Sequence, residues 1–148
     1  MPTNFLWGSV GSVMNLLTTE MNSLAINTLT ALGPEINNSS GFQEGQLALR
    51  LASAAFTAGN LARVYFVPSL NTAGDTYPTF TSVAAAGLAN YFVAAIQING
   101  STAAQNEAFP YVRIPLGKFK TLLYTGGGCP TLASSGNTLD LYPTPSQY

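Results

Sequence analysis

Short alternating or apolar runs, each cut by a cluster of Gly, Pro or Asn, recur along most of this sequence and leave little room for long helices. The clearest run is EGQLALRLAS at residues 44–53, in which Leu47, Leu49 and Leu51 alternate with small or polar residues. Because successive side chains of a strand point to opposite faces, this pattern predicts a half-buried β-strand.

Further runs of the same kind follow towards the C-terminus. ARVYFVPSLN is β-branched and aromatic and is ended by Pro68, which cannot donate to an interior ladder. NYFVAAIQI closes at Asn99-Gly100, and YVRIPL, KFKTLLY and NTLDLYP come next. Short strands at this spacing predict a mostly β chain, folded as an antiparallel sandwich, jelly roll or barrel rather than as βαβ units.

The first forty residues are less regular. Their apolar positions fit a helical stripe about as well as two strands. We predict an extended arm, a short helical turn within residues 18–24, and a strand at 28–32 that Gly33-Pro34 ends before a loop at 37–41. The predicted organisation is an N-terminal arm with a short helical or extended segment at residues 1–27, and a β-sandwich domain at residues 28–148.

Charge is unusually sparse in this chain of 148 residues. Asp, Glu, Lys and Arg make up 7% of it, and five basic against six acidic residues leave a net charge of −1. A freely diffusing protein relies on surface charge to stay apart from its neighbours. The composition therefore favours a surface covered by further copies of the chain or by a larger assembly over a small neutral monomer.

Catalytic and metal-binding residue types are scarce. The sequence contains no histidine, which removes Ser-His-Asp and Cys-His catalysis and metal sites built from Cys and His. The six acidic residues stand in turns or at outward strand positions, without a spacing that suggests a catalytic pair. Cys129, the single cysteine, follows Gly126-Gly127-Gly128 and is interpreted as a small loop residue. We therefore predict no enzymatic activity, no cofactor and no metal.

Nucleic-acid and membrane partners are also disfavoured. Five basic residues are too few for a groove that neutralises several phosphates. The most apolar segment, residues 82–98, is short for a membrane span and contains Asn90 and Gln97. The N-terminus lacks the pattern of a signal peptide, so synthesis in the cytoplasm is expected. Asn38-Ser39-Ser40 matches a glycosylation acceptor but is interpreted as a turn.

Three segments, in the same order along the chain, resemble a family of small virion proteins of tailed bacteriophages. The most specific is IPLGKFKTLLYTGGGCPTLASSGNTLDLYP, with Pro115, Gly117-Lys118-Phe119, residues 133–139 and Tyr142-Pro143 at the matching positions. LLTTEMNSLA at residues 16–25 resembles the N-terminal element of that family, and RVYFVPSLNTAGDTYP resembles a central strand and turn. The central turn departs from the family pattern at residues 70–75, and residues 82–88 have no clear counterpart.

The resemblance implies a jelly-roll-like antiparallel β-sandwich with an extended N-terminal arm, acting as a capsid cement or decoration protein. Such a protein lies on the outer surface of the virion capsid and bridges subunits of the major capsid protein, here as a homo-oligomer, dimer or trimer. The uncharged arm is the expected docking element. Its candidate contact residues with the capsid or a neighbouring subunit are Phe5, Leu6, Trp7, Val10 and Val13. Equally, Trp7 could close the core of its own subunit.

Other functions stay open at this point. A phage tail or receptor-binding component is the main alternative, because jelly rolls also bind glycans through exposed aromatic side chains. A pilin-like or secreted surface subunit would use residues 82–98 as a buried spine but lacks the expected leader. An enzyme is the class that the sequence favours least.

Overall fold

The fold is a jelly-roll-like antiparallel β-sandwich of two four-stranded sheets. The structure is a computed structural model that describes residues 11–57, 59–71, 76–126 and 129–144. The strands are β1 (Met14–Leu17), β2 (Ile36–Asn38), β3 (Glu44–Leu51), β4 (Asn60–Pro68), β5 (Phe92–Ile98), β6 (Gln105–Arg113), β7 (Gly117–Thr125) and β8 (Thr138–Thr144). Two short 3₁₀ turns, Thr19–Met21 and Leu88–Tyr91, complete the described elements.

The strand order follows from one long folded ribbon. The pairs β1–β8, β2–β7, β3–β6 and β4–β5 are all antiparallel, as they would be in a single hairpin of eight strands. Rolling that ribbon adds the β3–β8 and β4–β7 ladders. The resulting orders are β1-β8-β3-β6 in one sheet and β2-β7-β4-β5 in the other, so the predicted jelly-roll-like sandwich is confirmed.

Inward-facing side chains of both sheets form the core. The alternation that predicted β3 is real, since Leu47, Leu49 and Leu51 are buried while Gln46 and Arg50 are exposed. The other buried apolar side chains of the strands in this core are Leu16, Leu17, Ala62, Val64, Phe66, Ile96, Ile98, Val112, Phe119, Leu123, Leu139 and Leu141. Most of these residues alternate along their strands, but the adjacent Leu16 and Leu17 are both buried, next to the register shift in β1.

The N-terminal expectations need correction. The helical turn predicted within residues 18–24 is present as Thr19–Met21, but residues 14–24 belong to the sandwich rather than to an extended arm. β1 pairs with β8, and Leu16, Leu17 and Met21 are completely buried. The proposed division between residues 27 and 28 thus does not separate two packing units in the described part of the chain.

The strand predicted at residues 28–32 is also wrong. Leu29 forms only an isolated bridge to Tyr124, and the regular strand β2 comes later, overlapping the loop predicted at 37–41. Residues 28–33 nevertheless run beside β7, since the Thr30 amide donates to the Leu123 carbonyl and the Gly33 amide to the Thr121 carbonyl, both at 2.9 Å. Within this stretch the Leu123 amide donates to the Thr30 hydroxyl at 3.0 Å, so a side chain stands in for the backbone carbonyl that a regular ladder would use.

Candidate interaction surface

The two sheets differ in what lies on their outer faces. On the sheet β2-β7-β4-β5, called here the covered sheet, Tyr65, Val67 and Leu122 pack beneath the chain's own connections. Leu88, from the long connection between β4 and β5, is completely buried in the same cluster. The outer face of this sheet is thus occupied by other parts of the same chain.

The sheet β1-β8-β3-β6, called here the open sheet, carries exposed side chains on its outer face. Those on β3 and β6 are Glu44, Gln46, Arg50, Asn106, Ala108, Tyr111 and Arg113. Near its middle, Asn15 donates a hydrogen bond to Asp140 at 2.7 Å, which links β1 to β8 across this face. The face is polar, carries the charged side chains of Glu44, Arg50 and Arg113, and has an aromatic ring at its β6 edge.

One end of the sandwich, called here the terminal end, gathers the start of β1, the end of β8 and the connections β2–β3, β4–β5 and β6–β7. Asn38, only 3% exposed, holds two of these connections together. Its amide donates to the carbonyl oxygens of Phe42 at 2.6 Å and Pro115 at 3.0 Å, and it accepts the Phe42 amide at 3.0 Å. Asn38 is thus the last residue of β2 rather than a turn residue, and its buried, hydrogen-bonded amide closes the turn that follows it.

The β4–β5 connection joins the same end through backbone hydrogen bonds. The Ser69 amide donates to the Lys118 carbonyl at 2.9 Å, and the Leu70 amide donates to the Thr76 carbonyl at 2.9 Å. Lys118 stands two residues after Leu116, in the turn that starts β7. Leu70 and Leu116 are consequently carried by adjacent loops.

The three most exposed large apolar side chains of the described residues lie around the terminal end, namely Leu116 at 70%, Tyr111 at 65% and Leu70 at 63%. Val13, directly before β1, is 44% exposed at the same end, whereas Phe92 on β5 and Ile26 between β1 and β2 are exposed to 49% and 45%. We call Leu116, Tyr111, Leu70 and Val13 the terminal patch. Exposed apolar side chains that share one end of a small domain are typical of a contact surface for a larger partner.

The residues predicted as contacts are only partly located. Val13 belongs to the terminal patch, whereas Phe5, Leu6, Trp7 and Val10 lie outside the described residues. Leu70, Tyr111 and Leu116 were not among the contact residues predicted from the sequence. The exposure of Leu116 could have been predicted from the sequence, because Pro115 and Gly117 on either side of it indicate a surface turn.

Three charged residues near the terminal end contact other parts of the fold. Lys118 forms an ion pair with Glu35, whose second oxygen accepts a hydrogen bond from the Tyr77 hydroxyl, both at 2.8 Å. Lys120 lies 4.9 Å from the centre of the Tyr77 ring. These contacts attach the β1–β2 connection, through Glu35, and the β4–β5 connection, through Tyr77, to β7. Glu44 and Arg113, which lie opposite each other at the start of β3 and the end of β6, are exposed at this end as well.

Cys129 is part of the core rather than only a loop residue. Its side chain is completely buried in the core cluster, and burial raises the pKa of the thiol. A raised pKa lowers the thiolate fraction, so the chemistry expected of this thiol is weak.

Within the ranges given above, no three His, Cys, Asp or Glu side chains are grouped so that they could hold a metal ion. No helix in this part of the chain is long and apolar enough to cross a membrane.

The N-terminal segment at residues 16–25 and the C-terminal segment around residues 132–137 meet in the structure. Ser23, in the N-terminal segment, donates its amide to the carbonyl of Ala133 at 3.0 Å. In the opposite direction, the Leu132 amide donates to the Leu24 carbonyl at 3.0 Å. Residues more than a hundred positions apart thus form one hydrogen-bonded unit, called here the clasp.

Asn137 is the centre of the clasp. It is 2% exposed, and its amide nitrogen donates to the Ala133 carbonyl at 2.8 Å and to the Asn22 side chain at 3.2 Å. Its side-chain oxygen accepts the amide of Ala52 at 3.1 Å. Asn137 of the Ser-Gly-Asn motif thus links three separate segments of the fold. The exposed terminal patch lies at the other end of the sandwich.

No protein-family model matches the sequence, and comparison with curated proteins gives no match.

Proposed function

We propose that this chain is a structural virion protein of a tailed bacteriophage, a cement or decoration protein that binds the outer surface of the capsid shell. The observation that carries the proposal is the ordered resemblance of the three segments, of which the two outer ones meet in the clasp. A jelly roll suits the role because it occurs in viral capsid proteins, although one fold serves many functions.

The terminal patch is the proposed contact with the major capsid protein. Leu116, Leu70 and Tyr111 offer apolar area at one end, and the uncharged N-terminal segment with Phe5, Leu6 and Trp7 leads into the same end. Sparse charge lowers the desolvation cost of such a contact. Binding at many equivalent positions around a shell would stabilise the contacts between capsid subunits.

The proposal is tested by co-sedimentation with empty phage capsid shells that lack this protein, followed by thermal melting of the shells. The expected result is saturable binding that raises the melting temperature of the shell. Leu116→Asp should abolish binding, because it places a charge in the apolar contact. Ile26→Asp is the matched control, since Ile26 is 45% exposed but lies outside the terminal patch, and it should bind like the unmodified protein.

A second variant separates docking from folding. Deletion of residues 2–9 leaves β1 intact, so we expect a folded protein that no longer sediments with shells. Loss of folding would instead assign Phe5, Leu6 and Trp7 to the core of their own subunit. Unchanged binding by both Leu116→Asp and the deletion would contradict the proposed surface, and no binding by the unmodified folded protein would contradict the proposed function.

A tail or receptor-binding component is the second candidate. It is favoured by one observation, the 65% exposed ring of Tyr111, which lies opposite Gln46 on the open sheet with Tyr142 on the other side of Gln46. Aromatic rings on an open face can stack against sugars. Glycan-array binding that Tyr111→Ala abolishes, together with absence of the protein from the shell, would support this alternative.

A further inference from the structure

The four outer edges of the two sheets are not equally protected. Unpaired edges attract further strands, and natural sheets blunt them with short strands, bulges, prolines or charges. β1 has four residues and a register shift, and β2 has three residues. β6 contains Pro110 and two charged residues, and it carries a register shift against β3. Three edges therefore carry at least one such feature.

β5 is the exception. Its seven residues, FVAAIQI, contain neither proline nor charge, and among the described strands only β4 pairs with it. The single register shift against β4 falls at the start of the strand, which leaves residues 94–98 in regular pairing. Phe92, at the beginning of the strand, is 49% exposed.

We propose that β5 of one copy pairs antiparallel with β5 of a second copy, which joins the two covered sheets across a two-fold axis. The alternation within the strand fits this partner, since Ile96 and Ile98 are buried whereas Ala95 and Gln97 are exposed. Aligning residues 94–98 of the two strands places Ile96 opposite its own copy. Buried positions then lie beside buried positions, and exposed positions lie beside exposed positions.

The absence of charge on β5 makes self-pairing permissible, because like charges directly opposite one another destabilise a strand pair. Antiparallel pairing of β5 with its own copy also satisfies the geometry of a two-fold interface, in which both subunits contribute the same surface. This dimer goes beyond the capsid proposal and does not depend on it, since the terminal patch and the β5 edge are different surfaces.

The experiment measures molar mass by light scattering at increasing protein concentration. The unmodified protein should rise from 15.5 kDa towards twice that value. The double variant Ala95→Lys with Gln97→Lys should stay monomeric, because it sets lysines opposite each other in the paired strands. The control is Asn106→Lys with Ala108→Lys, which has the same spacing on exposed positions of the edge strand β6 and should dimerise normally.

Hydrogen exchange provides a second measurement that needs no variant. Amides of residues 94–98 should exchange more slowly at concentrations where the mass has doubled than at concentrations where it has not. An unmodified protein that stays monomeric at every concentration overturns the proposal. Dimers that persist in the folded β5 variant, or a doubled mass without added protection of these amides, overturn it as well.

Discussion

At the scale of a residue, two buried threonines on β7 differ in whether the side-chain hydroxyl has a hydrogen-bond partner. Thr121 is completely buried, and its hydroxyl finds no hydrogen-bond partner among the described residues. Thr125, four positions later and 1% exposed, donates its hydroxyl to the Ala25 carbonyl at 3.0 Å. Because a buried polar group without a partner costs free energy, the two positions should respond oppositely to the same substitution.

We expect Thr121→Val to leave the free energy of unfolding unchanged or to raise it by about 1 kcal/mol, since a methyl group replaces an unpaired hydroxyl of similar size. Thr125→Val should lower it by about 0.5–1.5 kcal/mol, because one hydrogen bond is lost while the Ala25 carbonyl keeps the Thr28 hydroxyl as a donor at 2.6 Å. Denaturant unfolding of both variants measures the difference. A loss at residue 121 as large as that at residue 125 would contradict this account of the Thr121 hydroxyl.

At the scale of an element, the long connection between β4 and β5 depends on few anchors. Its 3₁₀ turn Leu88–Tyr91 inserts Leu88 against Tyr65, Val67 and Leu122 on the covered sheet. At the other end of the connection, Leu70 is 63% exposed. One leucine of this connection is therefore completely buried, and another is mostly exposed to solvent.

Leu88→Ala should lower the free energy of unfolding by about 2–5 kcal/mol, the range for removing a fully buried leucine side chain. It should also increase proteolysis within residues 76–91, since the connection loses its deepest contact. Leu70→Ala, the matched control, should change stability by no more than about 0.5 kcal/mol. Equal losses for the two variants would show that the connection is not held through Leu88.

The sequence could predict elements wherever one face of a strand is buried against the other sheet. β3 and β4 were found with nearly their observed bounds, because their apolar residues alternate or end at Pro68. Within residues 14–38 only the turn Thr19–Met21 was found, because β1 and β2 have four and three residues and β1 buries the adjacent Leu16 and Leu17, so neither strand shows an alternation. The terminal patch was likewise beyond prediction except for Val13, since it arises only when separate loops meet at one end.

At the scale of the whole molecule, the absence of histidine makes the pH dependence simple. No side chain has an ordinary pKa between those of the carboxylates and that of the thiol, so stability should be nearly flat from about pH 5 to 8. The burial that raises the pKa of Cys129 acts above this range. The folded state then retains a proton that the unfolded chain loses, so stability falls as pH rises above the thiol pKa of the unfolded chain, about 8.5.

We therefore expect the free energy of unfolding to decline above about pH 8.5 in the unmodified protein and to decline less in Cys129→Ala. Both proteins are unfolded in denaturant at a series of pH values, and each is compared with its own value at neutral pH. This internal reference removes the constant cost of the lost side chain. Parallel curves for the two proteins would exclude Cys129 as the source of the alkaline loss.

The nested pairing of the strands also has a consequence for folding kinetics. β4 and β5 are neighbours in the sequence, whereas β1 and β8 are brought together by contacts such as that between Asn15 and Asp140, 125 positions apart. Closing so large a loop in an unfolded chain is entropically costly, but the cost falls once the inner pairs have formed. A nascent chain can thus pair β4 with β5 early, and the sandwich is completed only when β8 has been synthesised.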